Sequence, residues 1–217
     1  FDVNKLNTDG DSLLLKALQT KDKELALYLL QNGADVNLPN SKNETAVDYI
    51  VSADADDEIV AAIFAQEPDF SANLVTFNKP LWKVLMEQQK WDLLQEVWSK
   101  MPDITSVADV NGEIPLQTAL QDLDNSELVG LALSFVKEVD ANLMWDMFRR
   151  GNIEVFKLVL EKNANIDALN DDGESMFFYA VKNNMNREYM DLLLAKGMNV
   201  NFVGKGGINA LDMAIAN

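Results

Sequence analysis

The chain has 217 residues and a formal net charge of −17, from 35 acidic against 18 basic side chains, and it contains neither cysteine nor histidine. The two missing residue types exclude disulfides, thiol chemistry, histidine-dependent catalytic triads and histidine-ligated metal sites. The charge argues against nucleic acid and anionic membranes, which call for clustered Lys and Arg. No apolar run approaches the ~20 residues that cross a bilayer, and no basic-then-apolar leader opens the chain.

In chain order, a short phrase keeps returning. It opens as Asp2-Val3-Asn4, completing a half unit from Phe1, and then reads Gly33-Ala34-Asp35-Val36-Asn37, Glu67-Pro68-Asp69-Phe70-Ser71 and Met101-Pro102-Asp103-Ile104-Thr105. It returns as Asn163-Ala164-Asn165-Ile166-Asp167 and Gly197-Met198-Asn199-Val200-Asn201, with the steps from Gly33, Glu67 and Asn163 all 34 residues long. A fixed period of this size marks a stacked array. The units run approximately over residues 5–37, 38–71, 72–105, 106–142, 143–167 and 168–201, with a partial unit at 202–217, and are expected to form a single domain.

The same internal order is predicted in each unit. A polar turn such as Asn7-Thr8-Asp9-Gly10-Asp11 delivers a first helix, with Ser12, Thr45, Ser175 and Asn209 placed to cap it. Pro80 and Pro115 stand at the matching place in two units, where a first helical turn has no amide bond to lose. A second apolar run follows, for example Leu25 to Leu30. Gly33 then ends that helix by a left-handed residue, and Pro68 and Pro102 end theirs by excluding a helical predecessor.

Between the fourth and fifth units the period breaks. The phrase around Val139-Asp140-Ala141-Asn142 is followed too soon by Asn163, so a finger is missing. A first helix from about Leu143 to Arg150 is expected to start directly after Asn142. The extra length of the fourth unit is placed in residues 121–126.

Two short helices that cannot bury their apolar faces alone become stable by stacking on the next pair. These phrases, closest at Gly33 to Asn37 and Arg150 to Leu160, resemble the ankyrin repeat across nearly the whole chain. The resemblance implies an all-α, ankyrin-type helix-turn-helix repeat solenoid with short β-hairpin finger loops. The family's histidine after Thr-Pro-Leu is replaced throughout, by Leu15, Asp48, Trp82, Gln117, Trp145, Phe178 and Asp212, so its bonds to the loops are not assumed.

In ankyrin-like arrays the finger tips and first helices form the concave face that meets a partner. The finger acids Asp9, Asp11, Glu44, Glu113, Asp171, Asp172 and Glu174 would steer in a basic or mixed surface, at a rate that salt suppresses. On the first helices, residues one turn apart pair Trp82 with Met86, Trp145 with Arg149 and Phe178 with Lys182. Such aromatics anchor interfaces or fill the space between units. Trp145, Arg149 and Arg150 are expected to be reachable because the finger above them is missing, whereas Trp91 and Trp98 read as packing.

The remaining patterns carry no chemistry. Paired carboxylates such as Asp56-Asp57 read as solvated turns. Residues 52–58, including Asp54, lack the central glycine and final glutamate of a calcium loop. Residues 204–207 are a Gly-rich turn without a phosphate-binding context.

The expectation is therefore a non-catalytic protein-interaction module with no catalytic residues, cofactor, metal or small-molecule substrate, binding another protein and neither nucleic acid nor a membrane interior. The alternative is the recognition arm of a larger enzyme or translocated bacterial effector. In that reading Ile208, Leu211, Met213 and Ile215 face a helix beyond the chain. Either suits a cytoplasmic protein or one exported into a host cell.

Overall fold

The computed structural model describes residues 2–52, 56–162 and 164–216; Phe1, Asp54 and Asn163, named above, lie outside them. Thirteen helices stand among the described residues, the longest only 10 residues. Helices this short are marginal alone, so their stability rests on stacking. The chain falls into two compact units, residues 1–118 and 119–217.

The first unit holds α1 (Leu13–Thr20), α2 (Lys23–Gln31), α3 (Ala46–Ser52), α4 (Asp57–Phe64), α5 (Leu81–Glu87) and α6 (Trp91–Lys100), with α7 (Pro115–Ala119) at its boundary. α1 packs on α2 and α3, α2 on α4, and α5 on α6. Leu14, Leu15, Leu29, Ile63, Phe64, Trp82, Leu85 and Leu94 are buried between them, each contributing roughly 1.5–3 kcal/mol of apolar burial. The second unit holds α8 (Ser126–Ser134), α9 (Ala141–Arg150), α10 (Ile153–Leu160), α11 (Met176–Lys182), α12 (Arg187–Ala195) and α13 (Ala210–Ala216). There α10 packs on α8, α9 and α12, and α11 on α12 and α13. Phe148, Phe156, Tyr189, Trp145 and Tyr179 form one aromatic cluster, with neighbouring ring centroids 5.0–6.0 Å apart.

Caps follow the sequence closely. Ser12 accepts from the Leu15 amide and Ser175 from that of Phe178, both at 3.2 Å. Asn209 and Asp212 exchange bonds at 2.9 Å as a reciprocal capping pair. At Thr45 the Asp48 carboxylate accepts from the Thr45 amide. Pro115 opens α7 as expected, but Pro80 sits one place earlier, as the N-cap of α5 with an extended ψ of 153°. Gly33 takes φ 83° after α2, and Met101 before Pro102 is extended.

Hairpin fingers are rarer than expected. Among the described residues one finger forms paired strands, β1 (Asn73–Leu74) with β2 (Lys79–Pro80), and another a single bridge, Val203 to Asn209. The others are hydrogen-bonded turns.

The recurring phrase is a row of side-chain turns. Asp2, Asp35, Asp69, Asp103, Asn165 and Asn199 each accept, through Oδ1, the amide two residues on. Two asparagines also link successive units: Asn4 accepts from the Asp35 amide at 2.8 Å and Asn37 from that of Asp69 at 3.1 Å.

At the break in period the chain passes straight from the phrase into α9. Asp140 caps this helix by accepting from Leu143 at 2.7 Å. α9 therefore starts at Ala141, two residues before the expected Leu143, because Asp140 serves as both phrase residue and cap. The extra length of the fourth unit forms the wide bend at residues 120–125, between α7 and α8.

Candidate functional site

Four fingers are built on one device that the sequence reading missed. Asn7, Asn40, Asp109 and Asn170 each open a five-residue turn, and each Oδ1 accepts from the amides two and four residues on, at 2.8–3.0 Å. The fourth residue is left-handed in every case: Gly10, Asn43, Gly112 and Gly173 have φ of 84°, 64°, 79° and 76°. Glycine and asparagine tolerate that region best. The signal was present in the sequence as an Asn or Asp four places before each acid that ends a turn.

Those closing acids, Asp11, Glu44, Glu113 and Glu174, were expected to face a partner, and the structure gives them internal work instead. Asp11, 9% exposed, accepts from the Asn40 side-chain Nδ2 of the next finger at 3.2 Å. Glu44 accepts from Asn40 at 2.9 Å and from the Tyr49 hydroxyl at 2.7 Å, and these two donors hold its carboxyl below the usual carboxylate range. Glu113 is bound by Lys83 at 2.5 Å. Glu174, 7% exposed, accepts from Lys182 at 2.6 Å and Asn170 at 3.0 Å. Burial pushes its carboxyl up, but the lysine and the amide together outweigh that and leave it lowered. Lys182 is correspondingly raised by Glu174, so it belongs to the scaffold as much as to the surface.

What the fingers display are the residues between opener and closing acid. Asp9, Asp171 and Asp172 are exposed as expected, but so are Lys42 and Val110, the latter at 63%. The displayed residues are mixed rather than uniformly acidic.

The aromatic stripe is corrected. Trp82 is 0%, Trp145 3% and Phe178 7% exposed, so none offers a face to a partner, and Met86 is half-buried. Trp145 was expected to be open above the missing finger. Its indole N–H instead donates to the Ala168 carbonyl of the following finger at 3.0 Å, and its ring packs edge-on against Phe148 and Tyr179. Trp145 thus stands where the family has histidine and makes a helix-to-loop bond of its own. Asp48 does the same in the first unit, accepting from the Val75 amide at 2.6 Å. Arg149 is exposed, its guanidinium carbon 5.2 Å from the Trp145 ring centroid. Arg150 is exposed in part but committed, donating to the carbonyls of Leu120 and Gln121.

Among the described residues no His, Cys, Asp or Glu cluster is arranged to hold a metal ion, and no helix is long and apolar enough to cross a membrane.

Comparison with known proteins agrees with this architecture. Residues 9–41 match the family model for the ankyrin repeat, and residues 143–217 match that for ankyrin repeats in three copies. No curated protein matches the sequence. Among solved structures, the ankyrin repeat domain of Bcl-3, a member of the IkappaB protein family, is similar with a TM-score of 0.57 at 17% identity, over 95% of both chains. The complex of the predatory endopeptidase Bd0816 from Bdellovibrio bacteriovorus with immunity protein Bd3460 gives a TM-score of 0.42 at 16% identity, over 98% of this chain and 93% of that one. Ankyrin repeats generally mediate protein–protein interaction and are typically non-catalytic. The phrase, the paired short helices and the two matched segments together make this chain an ankyrin-repeat protein.

Proposed function

We propose that the chain is a non-catalytic module that binds another protein through its finger tips and the adjoining ends of its first helices. The observation that carries this reading is the division of labour within each finger. The opener and closing acid are locked by internal bonds, while the residues between them, Asp9, Lys42, Val110, Asp171 and Asp172, are held on a turn and exposed. A turn fixed in advance presents side chains at little further entropic cost, which favours affinity. The adjacent pair Asp171-Asp172 suits a basic patch on the partner, and Val110 suits an apolar one.

The test is capture of partners on the immobilised chain, followed by binding kinetics for the retained protein. D171N/D172N should lower the association rate at low salt. The difference should vanish near 1 M salt, where the screening length falls to about 3 Å. An association rate unchanged at low salt would reduce these acids to a solubilising face.

A further inference from the structure

The bonds that tie one phrase turn to the next join the first three turns and are absent from the step that follows. Asn4 reaches the Asp35 amide and Asn37 the Asp69 amide, but the next residue in that series is Ser71. Its hydroxyl donates within its own turn, to Asp69 at 2.7 Å. The Asp103 amide, equivalent to those of Asp35 and Asp69, receives no bond from Ser71. At that step the turn at residues 67–71 and residues 99–102, the end of α6 and the two residues after it, border an open groove of about 750 Å³, with residues 107–110 forming its third side. All of these residues belong to the first compact unit.

The lining combines two properties. Val107 and Val110 are 44% and 63% exposed, and Met101 and Pro102 add further apolar surface. The charged lining residues are three acids, Glu67, Asp69 and Asp109, against Lys100 alone. Asp109 commits Oδ1 to its finger amides and leaves Oδ2 buried without a donor, so that part of its charge is not locally compensated.

We infer that this groove is a second docking surface, which shares Asp109 and Val110 with one finger but extends to Glu67 and Asp69, and which takes an extended segment of a partner protein with alternating aliphatic and basic residues. In an extended chain, side chains alternate in direction, with next-but-one residues about 6.5–7 Å apart. One set can therefore lie on Val107 and Val110 while the other turns to Glu67, Asp69 and Asp109. The excess of acids selects a basic segment, since a like-charged one would be repelled.

The experiment is selection from a random-peptide phage library on the whole chain, with selected peptides measured against the wild type, V110D, E67K and D171N/D172N. Val110 and Glu67 are exposed, so their substitution is expected to preserve the helical circular dichroism signal. Selected peptides should share aliphatic residues alternating with Lys or Arg. They should bind V110D and E67K about tenfold more weakly or worse, a loss of about 1.4 kcal/mol, and bind D171N/D172N as they bind the wild type. Peptides indifferent to V110D and E67K, an acidic consensus, or no selection at all would overturn the groove. Loss on D171N/D172N alone would assign the peptides to the finger tips and leave the groove without a ligand.

Discussion

Arg150 donates to the Leu120 carbonyl at 2.6 Å and, through its other terminal nitrogen, to Gln121 at 3.1 Å. One guanidinium thereby closes the bend at residues 120–125, and Asn152 assists by donating to Leu123. Among the described residues, four shorter bends use a left-handed residue, Lys21, Gln89, Gly151 or Asn184. Replacing Arg150 with Ala leaves two carbonyls to water and should cost about 1–3 kcal/mol. At about 2–4 °C per kcal/mol for a domain of this size, thermal unfolding would report it. A lysine at 150 keeps the charge but not the fork, and should recover only part of the loss.

Trp145 offers a sharper contrast, because its packing and its hydrogen bond can be separated. W145F keeps a ring in the cluster but leaves Ala168 without its indole donor, for about 1–3 kcal/mol. W145A should cost about 3–5 kcal/mol through the cavity it opens. Both effects should appear in denaturant midpoints, while partner dissociation from the folded fraction stays unchanged. A faster dissociation at wild-type stability would return Trp145 to the interface.

The fourth finger differs from its neighbours in one atom. Asn40 and Asn170 each give their Nδ2 to the closing acid, Glu44 or Glu174, at 2.9 and 3.0 Å. Asp109 places a carboxylate oxygen where that nitrogen would be, and Oδ2 has no donor. D109N should supply the missing bond to Glu113 and stabilise the chain by about 0.5–1.5 kcal/mol. A melting temperature that stays level or falls would show that the fourth finger has settled on a different balance, with Lys83 alone serving Glu113.

The same internal acids contribute to the response to pH, beside Asp56 and Asp103, whose carboxyls are lowered by Lys23 and by Ser106 and Thr105. The carboxyls of Glu44 and Glu174 are both lowered in the folded state. Their contribution is thus complete above the ordinary glutamate value of about 4.3 and is lost as pH falls through the lowered folded values. E44Q and E174Q should each lower stability near neutral pH and flatten the acid limb of a stability–pH curve. Equal acid sensitivity in the variants and the wild type would place the relevant carboxylates elsewhere.

The period, the caps and the missing finger were legible because they depend on local chemistry: Ser12, Ser175, Pro115 and the Asp140 junction each act within a few residues of themselves. What escaped was the destination of long side chains. Counting along a helix puts Trp145 on an inner face, but only the path of the following finger brings the Ala168 carbonyl onto its indole. Glu174 likewise reads as a tip acid until Lys182, one helix further on, turns back to it. The finger openers Asn7, Asn40, Asp109 and Asn170 were readable in principle. They passed as ordinary turn residues because their repeat was masked by the conspicuous acids that follow.

The Asp140 junction has a consequence for how the chain tolerates change in length. A turn of polar residues ahead of a helix can absorb an added residue by bulging, but between Val139 and Ala141 the phrase and the cap are the same residue. One insertion there would turn α9 by about 100° about its axis, carrying Trp145 away from Ala168 and Arg150 away from Leu120 together. This splice is therefore the place in the second unit where register is set, and where a single-codon insertion should be least forgiven.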